Sequence, residues 1–151
     1  MVSKTKKSGT YCLIIQLTKN SNIKVGKLGI LELKAGYYVY IGSALNSLKS
    51  RVNRHLSREK KLFWHVDYLL NSGNAYLKDV IYVESEEKLE CIVASKIGIL
   101  GTLINKFGCS DCKCKSHLIY FKEFQEAKDI CSNTFKTLNL NPKELSEFLA
   151  S

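Results

Sequence analysis

The chain lacks long apolar runs, has almost no proline and carries few acids for its number of bases. No apolar stretch is long enough to cross a bilayer or to form the core of a secretory signal. We therefore expect a cytoplasmic protein with no membrane partner. No internal repeat interrupts the 151 residues, and no linker is long enough to divide them. The expected layout is a basic arm over residues 1–8 and a single domain over 9–151. Regular alternation of strand and helix is also missing. Strands come first and helices are inserted later, which argues against a doubly wound parallel sheet and for an α+β fold. Asp and Glu total 14 against 23 Lys and Arg, a formal charge of +9 that favours a polyanionic partner. Without a secretory context, the six cysteines read as thiols or metal ligands rather than a disulfide framework.

Residues 10–18, TYCLIIQLT, are β-branched and aromatic and are followed by turn-prone KNSN. Residues 23–34 alternate imperfectly around two glycines and read as one or two short strands with a bend. YYVYIGS (37–43) reads as a third strand, and the short connections predict antiparallel pairing. From Ser47 the period changes: Leu48, Val52 and Leu56 fall four apart on one helical face, with Asn46 or Ser47 as the cap. Arg51, Arg54, His55 and Arg58 lie on the neighbouring face. Further helices are expected over 63–73, 86–107, 123–135 and 142–150, the last opening on the sole proline, Pro142. Strands are expected over 77–85 and 117–122.

The stretch YYVYIGSALNSLKSRVNRHL, residues 37–56, holds the densest chemistry. If the first and third strands pair, the hydroxyls of Tyr11 and Tyr40 approach the helix that opens at Ser47. Gly42 removes a side chain at that junction, so a ligand backbone could come close. Arg51 and His55 share a helical face, and the arginine's planar fork fits phosphate oxygens. A tyrosine accepts a proton only with a lowered pKa, and a nearby guanidinium pushes it down. Each residue alone is ordinary, because strand tyrosines pack and helix arginines are solvated. The combination is what stands out.

Gly9-Thr10-Tyr11, Tyr40-Ile41-Gly42 and the Arg51…His55 helix together resemble the GIY-YIG nuclease superfamily. YVYIGSA, RVNRHL, WHVDYLL and GCSDCKCKSHL more closely resemble a small branch of it, sometimes fused to endonuclease III-type DNA glycosylases. The likeness runs over residues 9–122. It implies a three-stranded antiparallel sheet flanked by helices, here with an extra C-terminal strand and helices. It also implies a one-metal phosphodiesterase. Tyr11 would be the general base and Tyr40 would position water or the base. Arg51 would neutralise the attacked phosphate, and His55 would assist proton transfer or hold a phosphate. The superfamily's metal-holding glutamate maps best to Glu90, early in the 86–107 helix at the edge of its apolar stripe, ahead of Glu86 and Glu87. A lone carboxylate suits Mg²⁺ or Mn²⁺. Two departures stand out. The first tripeptide is GTY, and the asparagine that often follows the glutamate has only Asn105 as a loose counterpart.

Six basic residues against one acid occupy Lys49–Lys61, so Lys49, Arg54, Arg58, Lys60 and Lys61 are candidates for a DNA backbone track, with RNA as an alternative polyanion. His65 and Asp67 are expected to anchor the core. Cys109, Cys112, Cys114 and His117 have the composition of a Cys₃His zinc site, but C-x-x-C-x-C-x-x-H is too tight for an ordinary tetrahedral wrap. A structural loop ranks above Zn²⁺ there, and a redox switch below it. The leading reading is a metal-dependent DNA endonuclease of repair, recombination or defence. The alternative is a non-catalytic nucleic-acid-binding module on a nuclease-like fold, followed by a zinc-stabilised interaction domain.

Overall fold

The structure is a computed structural model that describes residues 7–44, 47–57, 61–108 and 115–150. Its elements are β1 (Gly9–Leu17), β2 (Ser21–Lys24), β3 (Ile30–Leu33), β4 (Gly36–Ala44), α1 (Leu48–Leu56), α2 (His65–Leu70) and β5 (Ala75–Glu84). They continue as α3 (Glu90–Gly98), β6 (Thr102–Leu103), β7 (Leu118–Phe121), α4 (Phe124–Thr137) and α5 (Leu145–Ala150). The fold is α+β: a five-stranded sheet in the order β5-β1-β4-β7-β6, with every neighbouring pair antiparallel. No described helix is long and apolar enough to cross a membrane.

β1 is the spine of the sheet. Eight of its nine residues are buried, as a strand covered on both faces requires. Successive side chains alternate between two layers. Tyr11, Leu13, Ile15 and Leu17 pack beneath Leu48 and Val52 of α1, Val66 and Leu69 of α2, and Phe148 of α5. Cys12 and Ile14 pack on the other side against Val93, Ala94 and Ile97 of α3 and Ala127, Cys131 and Phe135 of α4.

Three expectations are corrected. The sheet has five strands, where three and an extra C-terminal strand were expected. The 23–34 segment does not join it but folds back as the separate β2–β3 hairpin. That hairpin buries Ile23, Val25 and Leu33 in the core, with Leu28 and Leu31 partly buried against it, and its bend uses Gly26 and Gly29, both at positive φ. The 86–107 helix is also shorter than its apolar stripe: α3 ends at Gly98 and the chain turns into β6. A Cβ on Gly101 would lie 2.4 Å from Ile119 Cγ2, so this glycine lets the turn press against β7. Close packing therefore overrides the helical periodicity there.

Candidate functional site

The site forms at the end of β4, where the helices of both layers reach the edge of the sheet. The β1–β4 register sets Tyr11 opposite Gly42. A Cβ at position 42 would lie 2.5 Å from Tyr11 Cζ and Oη. The space expected to admit a ligand is thus filled by the phenol itself, and Gly42 is needed for Tyr11 to lie flat on its neighbour. Tyr40 stands two residues along the same face of β4 and is also buried.

α1 supplies the next groups. Ser47 caps it by accepting the Ser50 N–H at 3.1 Å. His55 was expected beside the apolar stripe but is buried under the helix, 3% exposed. Its Nε2 lies 2.8 Å from the Tyr11 hydroxyl. Its ring meets Tyr11, Tyr40 and Trp64 at centroid distances of 5.3, 6.3 and 5.9 Å. Arg51, one turn earlier, donates from Nη1 to the Ser43 carbonyl at 2.7 Å and lies 4.5 Å from the Trp64 ring centroid. Its positive charge also acts on the Tyr11 phenol, pulling that group's pKa down.

Glu90 arrives from the opposite layer. Ser43 points its side chain toward α3 and donates from Oγ to Glu90 Oε1 at 2.9 Å. Ser43 therefore links the two layers, its carbonyl holding the arginine and its hydroxyl the glutamate. Glu90 Oε2 lies 3.1 Å from Nδ1 of the buried His117. The other ring nitrogen, Nε2, lies 4.0 Å from Cys91 Sγ. Tyr11, Tyr40, Arg51, His55 and Glu90 thus occupy one cluster. Asn105 does not join it; it lies exposed in the turn after β6.

The charges are set by burial and neighbours. Burial pushes the Tyr11 phenol well above its ordinary value, and the pull of Arg51 recovers only part of that rise. The expected downward push of the guanidinium is present, but desolvation is the larger effect and the net shift is upward. Tyr40 is raised in the same way, chiefly by burial. For Glu90 the balance reverses. Burial would raise its carboxyl, but His117, the Ser43 hydroxyl and Arg51 outweigh it and hold the group below the usual range.

α2 braces the cluster. Asp67 is fully buried and accepts from Arg54 Nη1 at 2.9 Å and Nη2 at 3.0 Å. It also takes the Phe63 and Trp64 N–H groups at 2.9 and 2.8 Å. Those donors and the Arg54 charge hold its carboxyl below the usual range, although burial alone would raise it. Arg54, expected on the DNA track, has its fork committed to Asp67 and lies 4.2 Å from the Trp64 ring centroid. His65 Nδ1 accepts the Gly108 N–H at 2.8 Å, and burial lowers its pKa. Lys49 and Lys61 are exposed. Arg58, Lys60, Cys109, Cys112 and Cys114 lie outside the described residues. Among the described residues no group of three or more His, Cys, Asp or Glu could hold a metal, and His117 is engaged with Glu90 and Cys91.

Sequence reasoning passed over Ser43 and Trp64. Serine is too common to signal a bridging role. Trp64 could have been flagged as the only tryptophan, placed just after the arginine-rich helix.

The family model described as "Domain of unknown function DUF123" matches residues 10–140. The chain belongs to this family. No curated protein and no solved structure matches it. The DUF123 match spans every residue of the cluster, from Tyr11 in β1 to His117 ahead of β7.

The donor chemistry around Glu90 in this DUF123 chain suits a divalent ion. Glu90 is ionised, its side chain is 30% exposed, and each of its oxygens keeps a second lone pair beyond its present contact. A single carboxylate with an open side fits a hard cation that retains most of its waters.

Proposed function

We propose that this DUF123 domain is a divalent-metal-dependent DNA endonuclease on a GIY-YIG-like core. The observation that supports the reading is the meeting of the Tyr11 phenol, the Arg51 guanidinium and the Glu90 carboxylate at the end of β4. A phosphodiester bound there meets a positive fork on one side and an acid on the other. The net charge of +9, with Lys49 and Lys61 exposed nearby in sequence, suits a nucleic-acid backbone. Repair, recombination or defence in the cytoplasm are the settings such an enzyme fits.

The proton route follows from the hydrogen bond between Tyr11 and His55. With the imidazole proton on Nδ1, the neutral phenol donates to His55 Nε2, 2.8 Å away, and its oxygen keeps lone pairs for a water. As that water attacks phosphorus, its proton passes to Tyr11 while the phenolic proton passes to His55. No free phenolate accumulates, so the raised pKa of Tyr11 does not block the transfer. The P–O3′ bond breaks as the new P–O bond forms, and the departing 3′-oxygen takes a proton from solvent. Arg51 neutralises the charge that builds on the phosphoryl oxygens, and Ser43 holds Arg51 and Glu90 in register. A divalent ion bound at Glu90 would supply Lewis-acid stabilisation of that charge and of the leaving oxygen. Removing one preorganised donor of this kind costs roughly 3–4 kcal/mol of barrier, about a hundred- to a thousandfold in rate.

The test is incubation of purified protein with single-stranded, duplex, flapped and branched DNA in Mg²⁺ or Mn²⁺. Nicking that a chelator stops is expected; no cleavage of any substrate with protein in excess would refute the proposal. One observation favours a second reading. Tyr11 and Tyr40 are both held neutral by burial, as a binding module without turnover would allow, and such a module would show salt-sensitive DNA binding with no product.

A further inference from the structure

The proposed hydrolysis leaves the most exposed aromatic side chain near the site without a role. Phe63 is 74% exposed, although its ring is large and apolar and the domain has two well-filled layers to receive it. Its position is nonetheless set. The Phe63 N–H and the neighbouring Trp64 N–H both donate to one oxygen of the buried Asp67. The Phe63 ring stands against Trp64 at a centroid distance of 5.4 Å and an interplanar angle of 69°. Trp64 in turn carries the Arg51 and Arg54 guanidinium groups and contacts His55. The aromatic series therefore runs from solvent at Phe63 through Trp64 and His55 to the phenol of Tyr11.

An apolar face held at this place matches one feature of a nucleic-acid strand. Exposed aromatic rings stack nucleobases irrespective of sequence, because every base has a π-face. A base inside a duplex already has both faces covered by its neighbours, so it cannot offer one to Phe63. A base next to the bound phosphate can do so only when it is unpaired. In the nuclease reading Arg51 holds the phosphate, and the Phe63 ring lies just beyond Trp64, the ring on which that guanidinium rests.

We propose that Phe63 is a stacking platform for an unpaired nucleobase of the strand whose phosphate Arg51 holds, and that the substrate class is DNA with single-stranded character at the cleavage position. This rests on the nuclease reading of the same site. A ring already ordered through Asp67 and Trp64 loses little freedom on stacking, so it adds affinity at small entropic cost.

Binding is measured by fluorescence anisotropy without divalent metal, using the whole chain. The probes are a single-stranded oligonucleotide, its duplex, and a single strand with abasic sites at its centre. The single strand should bind more tightly than the duplex. Phe63→Ala should weaken binding to the base-bearing strand by roughly 5- to 100-fold. It should leave the abasic strand nearly unaffected, and Phe63→Trp should restore the loss. Trp64 is the only tryptophan, so stacking next to it should quench its emission in wild type and not in Phe63→Ala. An equal loss on base-bearing and abasic strands, or no loss on either, would overturn the proposal while DNA cleavage by the wild type still stood. Failure of the wild type to bind any DNA would overturn both this proposal and the nuclease reading. A melting temperature unchanged by Phe63→Ala is expected for so exposed a ring, and keeps the comparison free of folding effects.

Discussion

Asp67 is a buried brace beside the site, and its removal should destabilise the domain strongly. Its carboxylate is fully buried and accepts four hydrogen bonds, two from Arg54 and one each from the Phe63 and Trp64 N–H groups. Asp67→Ala would leave a guanidinium only 27% exposed without its counter-charge. It would also strand two backbone donors at the entry to α2. Breaking a buried pair from one side costs about 3–5 kcal/mol. The residual exposure of Arg54 argues for the lower half of that range, and the two orphaned donors argue for the upper, so we expect about 4 kcal/mol. For a domain of this size that lowers the melting temperature by roughly 8–16 °C. Urea and thermal denaturation followed by circular dichroism read it directly. The same bond carries a pH signature. Asp67 is held below its ordinary value of 3.8 in the folded state, so the unfolded chain binds the proton more readily. Its contribution is complete above that ordinary value and fades as the pH falls through the lower folded value. Asp67→Asn should flatten the acid limb of the stability curve. A loss below about 1 kcal/mol in Asp67→Ala, or additivity of Asp67→Ala with Arg54→Ala within about 0.5 kcal/mol, would refute the reasoning.

Two further substitutions probe the packing around the site. Gly42→Ala would push a Cβ to 2.5 Å from the Tyr11 ring, which is 1% exposed and has nowhere to go. It should cost about 1–3 kcal/mol in denaturation and abolish DNA nicking; an unchanged midpoint would show that the ring can shift. Thr10, at 0% exposure, has no hydrogen-bond partner for its hydroxyl among the described residues. Thr10→Val keeps the shape and removes the stranded oxygen, so it should stabilise by about 1 kcal/mol and raise the melting temperature by roughly 2–4 °C; a lower melting temperature would contradict that account.

Local pattern carried much of the architecture. β1 and β4 were legible from β-branched and aromatic runs, and α1 from apolar residues four apart, with the antiparallel pairing implied by the short connections. What escaped depends on contacts distant in sequence. Nothing local to residues 23–34 says that they fold off the sheet, because the partners that bury Ile23 and Leu33 lie elsewhere in the chain. The apolar stripe after Glu90 reads as one helix until Ile119 and Phe121 crowd Gly101. Ser43 bridges the layers with one carbonyl and one hydroxyl, groups that leave no pattern in sequence. The sign of the Tyr11 shift also needed the structure, because neither its burial nor its distance from Arg51 can be read from residue types.

The account stands on three groups acting together on one phosphodiester. The most direct measurement is DNA cleavage in Mn²⁺ by wild type, Tyr11→Phe, Arg51→Ala and Glu90→Gln side by side, each with its folded state checked by circular dichroism. The account predicts cleavage by the wild type and a loss of at least about a hundredfold in each folded variant. Cleavage at the wild-type rate by folded Tyr11→Phe, Arg51→Ala and Glu90→Gln would contradict it.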